Sequence, residues 1–252
     1  MKIAISGKGG VGKTTISSLL ARSYAAKGLK VIAIDADPDM NLSTALGFAA
    51  GARITPLVSL KELIAERVGA APNSPTVYFK MNPKVDYIPE RFSVTKGNIR
   101  LMVMGTVREG GKGCACPENA FIRQLIGHLL LQDDEIVIMD MEAGIEHLGR
   151  GTAQFVDHLL AIVEPGILSF QTFHRIKQLA ADLRIRRVGL VANRVRSQDD
   201  LARIERETGQ KALASIAFDD SLHDYVGGDI KPSIQREINS LAEILSKELS
   251  HG

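Results

Sequence analysis

At 252 residues, 45% of them hydrophobic, the chain is long enough for one large domain with a full core and too short for two comfortable ones. A formal charge of +2 and a complete lack of Trp nominate neither nucleic acid nor a membrane surface as partner. Met1-Lys2 runs straight into an apolar segment, nothing approaches the ~20 residues of a spanning helix, and two cysteines are too few for a disulfide scaffold, so a cytoplasmic protein is expected.

The first apolar run, Ile3-Ala4-Ile5, reads as a strand, and Ile16, Leu19, Leu20 and Tyr24 give the following segment a helical stripe. Between them lies Gly7-Lys8-Gly9-Gly10-Val11-Gly12-Lys13-Thr14-Thr15. A glycine-rich loop that leaves a strand and opens a helix is the setting of a phosphate-binding loop. Its glycines let successive amide N–H groups turn toward one anion, and the helix adds its positive end. In such a loop Lys13 reaches the β- and γ-phosphates and the Thr14 hydroxyl ligates Mg2+, with Gly9, Gly10, Val11, Gly12 and Thr15 completing the cradle.

Val31 to Ile34 is a continuous apolar run, as in strands buried on both faces. It ends in Asp35-Ala36-Asp37-Pro38-Asp39-Met40-Asn41-Leu42. Pro38 prevents continuation, and carboxylates at that place lie on the rim where open α/β sheets bind ligands. Aspartates beside a proline are equally at home in an ordinary turn. Residues 49 to 98 hold five of the nine prolines, and only Leu60 to Val68 looks helical. The segment reads as an ordered surface insertion whose place after the aspartate-rich turn suits partner docking.

Ile99 to Met104 gives another strand, followed by a loop with Gly110-Gly111-Lys112-Gly113-Cys114-Ala115-Cys116-Pro117-Glu118-Asn119 and a helix through Leu131. Thiolates near a helix N-terminus and a lysine have a lowered pKa, which favours metal binding. Two sulfurs do not complete a tetrahedral site, whereas two copies of the loop across a two-fold axis supply four. By spacing alone, a pair of buried cysteines or a redox pair fits equally well. Glu135 to Asp140 is the next strand, and Glu142, Gly144, Glu146 and His147 follow its end. Strands at Leu159 to Val163, Val188 to Ala192 and Ala212 to Ala217 alternate with a helix over Ser169 to Asp182. Asn193 closes the second of these strands, and Phe218-Asp219-Asp220 the third. The arginines from 184 to 196 read as a solvated face, and the last helix carries Ile234, Ile238, Leu241, Leu245 and Leu249 on one stripe that suits packing on the domain.

Lys8, in a place where a generic phosphate loop tolerates almost anything, makes the loop resemble the deviant-Walker ATPases, the group of nitrogenase iron protein and the Min and Par ATPases. That resemblance implies that Lys8 reaches the partner's nucleotide across a homodimer, so that hydrolysis is coupled to dimerisation. It also implies that Asp37, in a switch loop, positions or activates the attacking water, while Asp35 anchors the loop or holds a magnesium-bound water. Asp140 would hold Mg2+ through water, Gly144 would sense the γ-phosphate, and Asn193 would face adenine. The cysteine loop together with Asp140-Met141-Glu142-Ala143-Gly144-Ile145-Glu146-His147-Leu148-Gly149-Arg150-Gly151-Thr152 is similar to the CooC-type maturation ATPases, which serve nickel insertion into carbon monoxide dehydrogenase. Nickel as the metal at Cys114 and Cys116, and a nickel enzyme as client, come from that resemblance; thiolates accept Zn2+ as well.

The expected architecture is α/β: one domain over 1-252, a doubly wound, mostly parallel sheet flanked by helices, with ATP and Mg2+ at its C-terminal edge. Two other functions fit the loop: a partitioning ATPase of the Min or Par kind, and an electron donor like the nitrogenase iron protein. The latter group has its two cluster ligands far apart in the chain, unlike Cys114 and Cys116.

Overall fold

The computed structural model describes residues 1–49, 54–69, 84–85, 87–105, 117–131, 135–142, 153 and 155–250. Eight strands form one sheet in the order β3-β4-β2-β5-β1-β6-β7-β8. They are β1 (Lys2–Gly7), β2 (Val31–Ala36), β3 (Val94–Lys96), β4 (Ile99–Val103), β5 (Ile136–Met141), β6 (His158–Val163), β7 (Val188–Val195) and β8 (Ala212–Ala217). Every pairing is parallel except β3 with β4. Buried on both faces, β1, β2 and β6 are apolar along nearly their whole length, as parallel strands covered by helices must be.

The longer helices are α1 (Lys13–Ala26), α3 (Lys61–Val68), α5 (Pro117–Leu131), α6 (Ile167–Asp182), α7 (Gln198–Thr208) and α8 (Pro232–Ser250); α2 (Leu42–Ala45) and α4 (Ile88–Arg91) are single turns. Alternate strand residues feed two separate cores. Ile3 and Ile5 pack with α1 and α8, whereas Ala4 belongs to the core that holds Phe121 of α5 and Phe173 of α6. Ile234, Ile238, Leu241 and Leu245 of α8 are all buried, each worth about 1.5–3 kcal/mol of transfer free energy. The stripe therefore packs on the domain, as its mixed polar face suggests.

Most strand and helix limits follow the hydrophobic pattern. The short antiparallel β3 and the one-turn α4 are additions within the proline-rich segment. β7 runs on past Asn193 to Val195, with irregular pairing to β8 between Ala192 and Val195. No helix among the described residues is long and apolar enough to cross a membrane.

The order has a functional consequence. β1 sits between β5 and β6, so the loop after β1 is flanked by the ends of both neighbours. Such a central strand end is where a doubly wound sheet opens a ligand crevice.

Candidate functional site

The loop after β1 is shaped by its glycines at two tight places. A β-carbon on Gly7 would stand 2.6 Å from the Ile162 carbonyl oxygen of neighbouring β6. One on Gly12, whose φ is +97°, would stand 2.5 Å from Asn193 Nδ2. Only glycine fits the second position on both counts, space and left-handed backbone. Gly12 is also the N-cap of α1 and brings no side chain to it. The first-turn amides of Lys13, Thr14 and Thr15 have no intrahelical partner, which makes this end of α1 suited to phosphate oxygens.

Behind the loop, charges are held at unusual depth. Lys13 is 6% exposed, and Asp35 and Asp140 are fully buried. Asp35 and Asp140 are direct partners across β2 and β5. Burial, with the charges of Asp140 and Asp37 adding to it, pushes the Asp35 carboxyl up to about 7, although hydrogen bonds from Leu42 and Asp37 pull it back. Asp140 rises to about 6, again through burial first; the Thr14 hydroxyl, the Lys13 ammonium and Ser17 oppose the rise.

Asp35 anchors the turn that follows β2. Its Oδ1 accepts from the Asp37 N–H at 3.2 Å and its Oδ2 from the Leu42 N–H at 2.9 Å, so one carboxylate gathers both ends of the turn. Asp37 then stands 3.8 Å from Lys13 Nζ, and its Oδ1 accepts from the Asp39 N–H. Ser17 Oγ lies 2.9 Å from the Lys13 carbonyl oxygen and 3.1 Å from Asp140 Oδ1. Asp140 Oδ2 is buried without a well-formed hydrogen bond. A buried carboxylate oxygen left over beside a threonine hydroxyl suits a hydrated divalent cation, so the residues present fit magnesium.

A cleft of about 780 Å³ runs from this centre, past Gly10, Thr15 and Asn193, to Phe218, Asp219 and Tyr225. That volume is in the range of nucleotide-sized sites. Asn193 Nδ2 donates to the Val11 carbonyl at 2.8 Å, so this amide ties the phosphate loop to β7 and keeps its oxygen and its second N–H in reserve. The far wall is braced from outside: Lys231 pairs with Asp219 at 3.0 Å, and Arg22 donates to both Tyr225 and the Gly228 carbonyl.

Gly9, Gly10, Val11, Gly12, Lys13, Thr14, Thr15, Asp37, Asp140 and Asn193 thus gather at one sheet edge. Lys8 does not project freely: its Nζ is 3.0 Å from Glu164 Oε1. Cys114, Cys116, Gly144, Glu146 and His147 lie outside the described residues, and Glu142 is exposed at the end of β5, where its carbonyl accepts from Ser6. Among the described residues no group of three or more His, Cys, Asp or Glu side chains is arranged to hold a metal.

Three participants escape a reading by motif. Ser17 lies one turn beyond Thr14 on the same helix face, a spacing that could have found it. Glu164 follows the end of β6, so the strand-end rule that selects Asp37 selects it too. Arg194, beside Asn193, carried no such signal.

Fold and site together define a P-loop ATPase with the deviant Walker loop. Residues 2–231 match the CobQ/CobB/MinD/ParA nucleotide binding domain, and the chain belongs to that family. It is 44% identical over 253 residues to the carbon monoxide dehydrogenase accessory protein CooC of Rhodospirillum rubrum, covering 97% of this chain and 96% of that one. An uncharacterised ATP-binding protein of Methanocaldococcus jannaschii is 46% identical over 225 residues, 88% and 87% of the two chains. In fold, the cell division protein MinD of Aquifex aeolicus matches with a TM-score of 0.68 at 21% identity, over 97% of this chain and 96% of that one.

Proposed function

We propose that this chain is a single-domain ATPase acting as a maturation factor: it takes up nickel as cargo at Cys114 and Cys116 and delivers it to carbon monoxide dehydrogenase or a related nickel enzyme. The observation that carries this reading is similarity to CooC over 97% of this chain and 96% of that one, with the paired cysteines falling in sequence between β4 and α5. In the nucleotide cycle, the α1 amides and Lys13 hold the phosphates of ATP. Thr14 and, through water, Asp140 would hold magnesium, which when bound would neutralise charge on the phosphoryl group. Asp37 orients the attacking water, and Gly144 senses the γ-phosphate.

A homodimer is the functional unit in this reading. Lys8 completes the partner's site, and two cysteine loops across the two-fold axis supply four thiolates for Ni2+ or Zn2+. Four of the five large apolar side chains left exposed among the described residues support such a face. Met40, Ile167, Leu168 and Val226 all follow the C-terminal ends of strands, on the side of the nucleotide cleft.

The test is an anaerobic titration of reduced protein with nickel and zinc, with dimer mass measured in parallel, for wild type and a Cys114→Ser, Cys116→Ser double variant. Tight uptake of one metal per two chains, lost in the variant while ATP hydrolysis persists, is expected. Equal behaviour of the two proteins removes the metal function and leaves a partitioning-type ATPase; a redox-active cluster in the anaerobic preparation points instead to an electron donor.

A further inference from the structure

Lys8, Glu164 and Arg194 come from three neighbouring strand ends. Gly7 of β1 is in register with Ile162 of β6, and Val163 of β6 with Ala192 of β7, so Lys8 and Glu164 each stand one residue, and Arg194 two residues, beyond a paired position. Glu164 uses both carboxylate oxygens: Oε1 meets Lys8 at 3.0 Å and Oε2 meets Arg194 at 2.9 Å. Its own N–H is fixed by donation to Ser169 Oγ in α6.

The backbone is bent to allow this. Arg194 has φ +57°, an uncommon conformation for a residue with a β-carbon, and it lies in the irregular stretch of the β7 pairing with β8. An extra residue at a strand edge re-aims a side chain. Here Asn193 turns to the phosphate loop and Arg194 to Glu164. Arg194 also lines the nucleotide cleft. One carboxylate therefore connects the cleft wall to the lysine of the phosphate loop.

We propose that Glu164 is a cis latch: within one protomer it holds Lys8 against its own subunit, together with Arg194, and releases it only when a nucleoside triphosphate in a second copy offers a stronger anion. The inference rests on the reading of this chain as an ATP-switched dimer. Its physical content is competition. While Glu164 neutralises Lys8, the approach of a second copy gains little from that lysine; once the carboxylate is removed, the two cations present their full charge to incoming phosphate. A partly exposed ion pair shifts an equilibrium by up to about fivefold, and two latches open per dimer, so the effect on dimerisation reaches about 25-fold.

Two measurements on Glu164→Gln decide it. In the nucleotide-free monomer, acetic anhydride labelling of Lys8, read by mass spectrometry, is expected to run several-fold faster than in wild type, because the amine has lost its carboxylate. In a non-hydrolysable ATP analogue, the dimer dissociation constant from sedimentation is expected to fall by up to about 25-fold, and a Lys8→Ala, Glu164→Gln double variant should show no such gain over Lys8→Ala. Unchanged labelling overturns the latch itself. Faster labelling with equal or weaker dimerisation overturns its role in assembly. A wild type that stays monomeric with the analogue, whatever the labelling, removes the dimer reading and the latch's purpose with it.

Discussion

Lys13 and Asp37, 3.8 Å apart, set opposite charges side by side at the mouth of the phosphate loop. The Asp37 carboxylate stands by the ammonium that, in the proposed function, a phosphate would meet. In the proposed cycle, ATP would displace Asp37 from Lys13 toward water, where the carboxylate would serve the attack. Asp37→Asn should lower kcat for ATP hydrolysis by about 10²- to 10⁴-fold. ADP affinity should hold or tighten slightly, since a competitor for Lys13 has gone; a variant that loses binding as steeply as turnover would place Asp37 in ligand binding instead. Asp35 makes a separate prediction about pH. Its carboxyl is raised from 3.8 to about 7, so between those values the folded protein holds a proton that the unfolded chain has released. The stabilising contribution is complete below about 4 and is lost as pH rises through 7. In apo protein without magnesium, Asp35→Asn should flatten the decline of Tm from pH 5 to 8, leaving the smaller share due to Asp140; parallel curves would mean that Asp35 is already ionised in the fold. The strand-end rule was enough to find both aspartates in the sequence. Their depth was not legible, because it arises from pairing β2 with β5, about 100 residues apart.

At the scale of elements, legibility follows burial. β1, β2 and β6 are long apolar runs, and α8 carries a clean stripe, so pattern alone locates them. β3 has three residues, half-buried or exposed, and exists through its antiparallel register with β4 across Gly97. Nothing periodic marks so short an edge strand. The start of α6 fails for the opposite reason: Ile167 and Leu168 are apolar but sit outside the stripe of Phe170, Phe173 and Ile176 that faces the core. α8 offers the cleanest energetic check, because its buried side chains close the core over α1. Ile238→Ala should cost about 2–5 kcal/mol in urea unfolding, and Glu237→Ala, one residue earlier and exposed, should stay within about 0.5 kcal/mol. Similar losses for the two would mean that α8 is held by its polar face.

At the scale of the whole molecule, the uneven distribution of exposed apolar groups carries the argument. A soluble domain leaves single apolar residues on its surface everywhere, so one exposed leucine decides nothing. Here Ile167 and Leu168 are 64% and 63% exposed and closely follow Glu164, which pairs with the lysine proposed above to complete the partner's site. Apolar contact and ionic contact would thus be made by the same approach of a second copy, the first supplying affinity and the second making it depend on nucleotide. Leu168→Glu separates these contributions. It should leave ADP binding by the monomer unchanged, because the residue lies outside the cleft lining, and should abolish the dimer formed with a non-hydrolysable ATP analogue, measured by sedimentation. A second carboxylate so near Glu164 would also repel the incoming phosphates. For that reason Leu168→Gln is the companion variant: if it dimerises normally while Leu168→Glu does not, charge rather than apolar burial governs this face. If both dimerise like wild type, the two copies meet elsewhere, and the exposed pair at the head of α6 is left for the client enzyme.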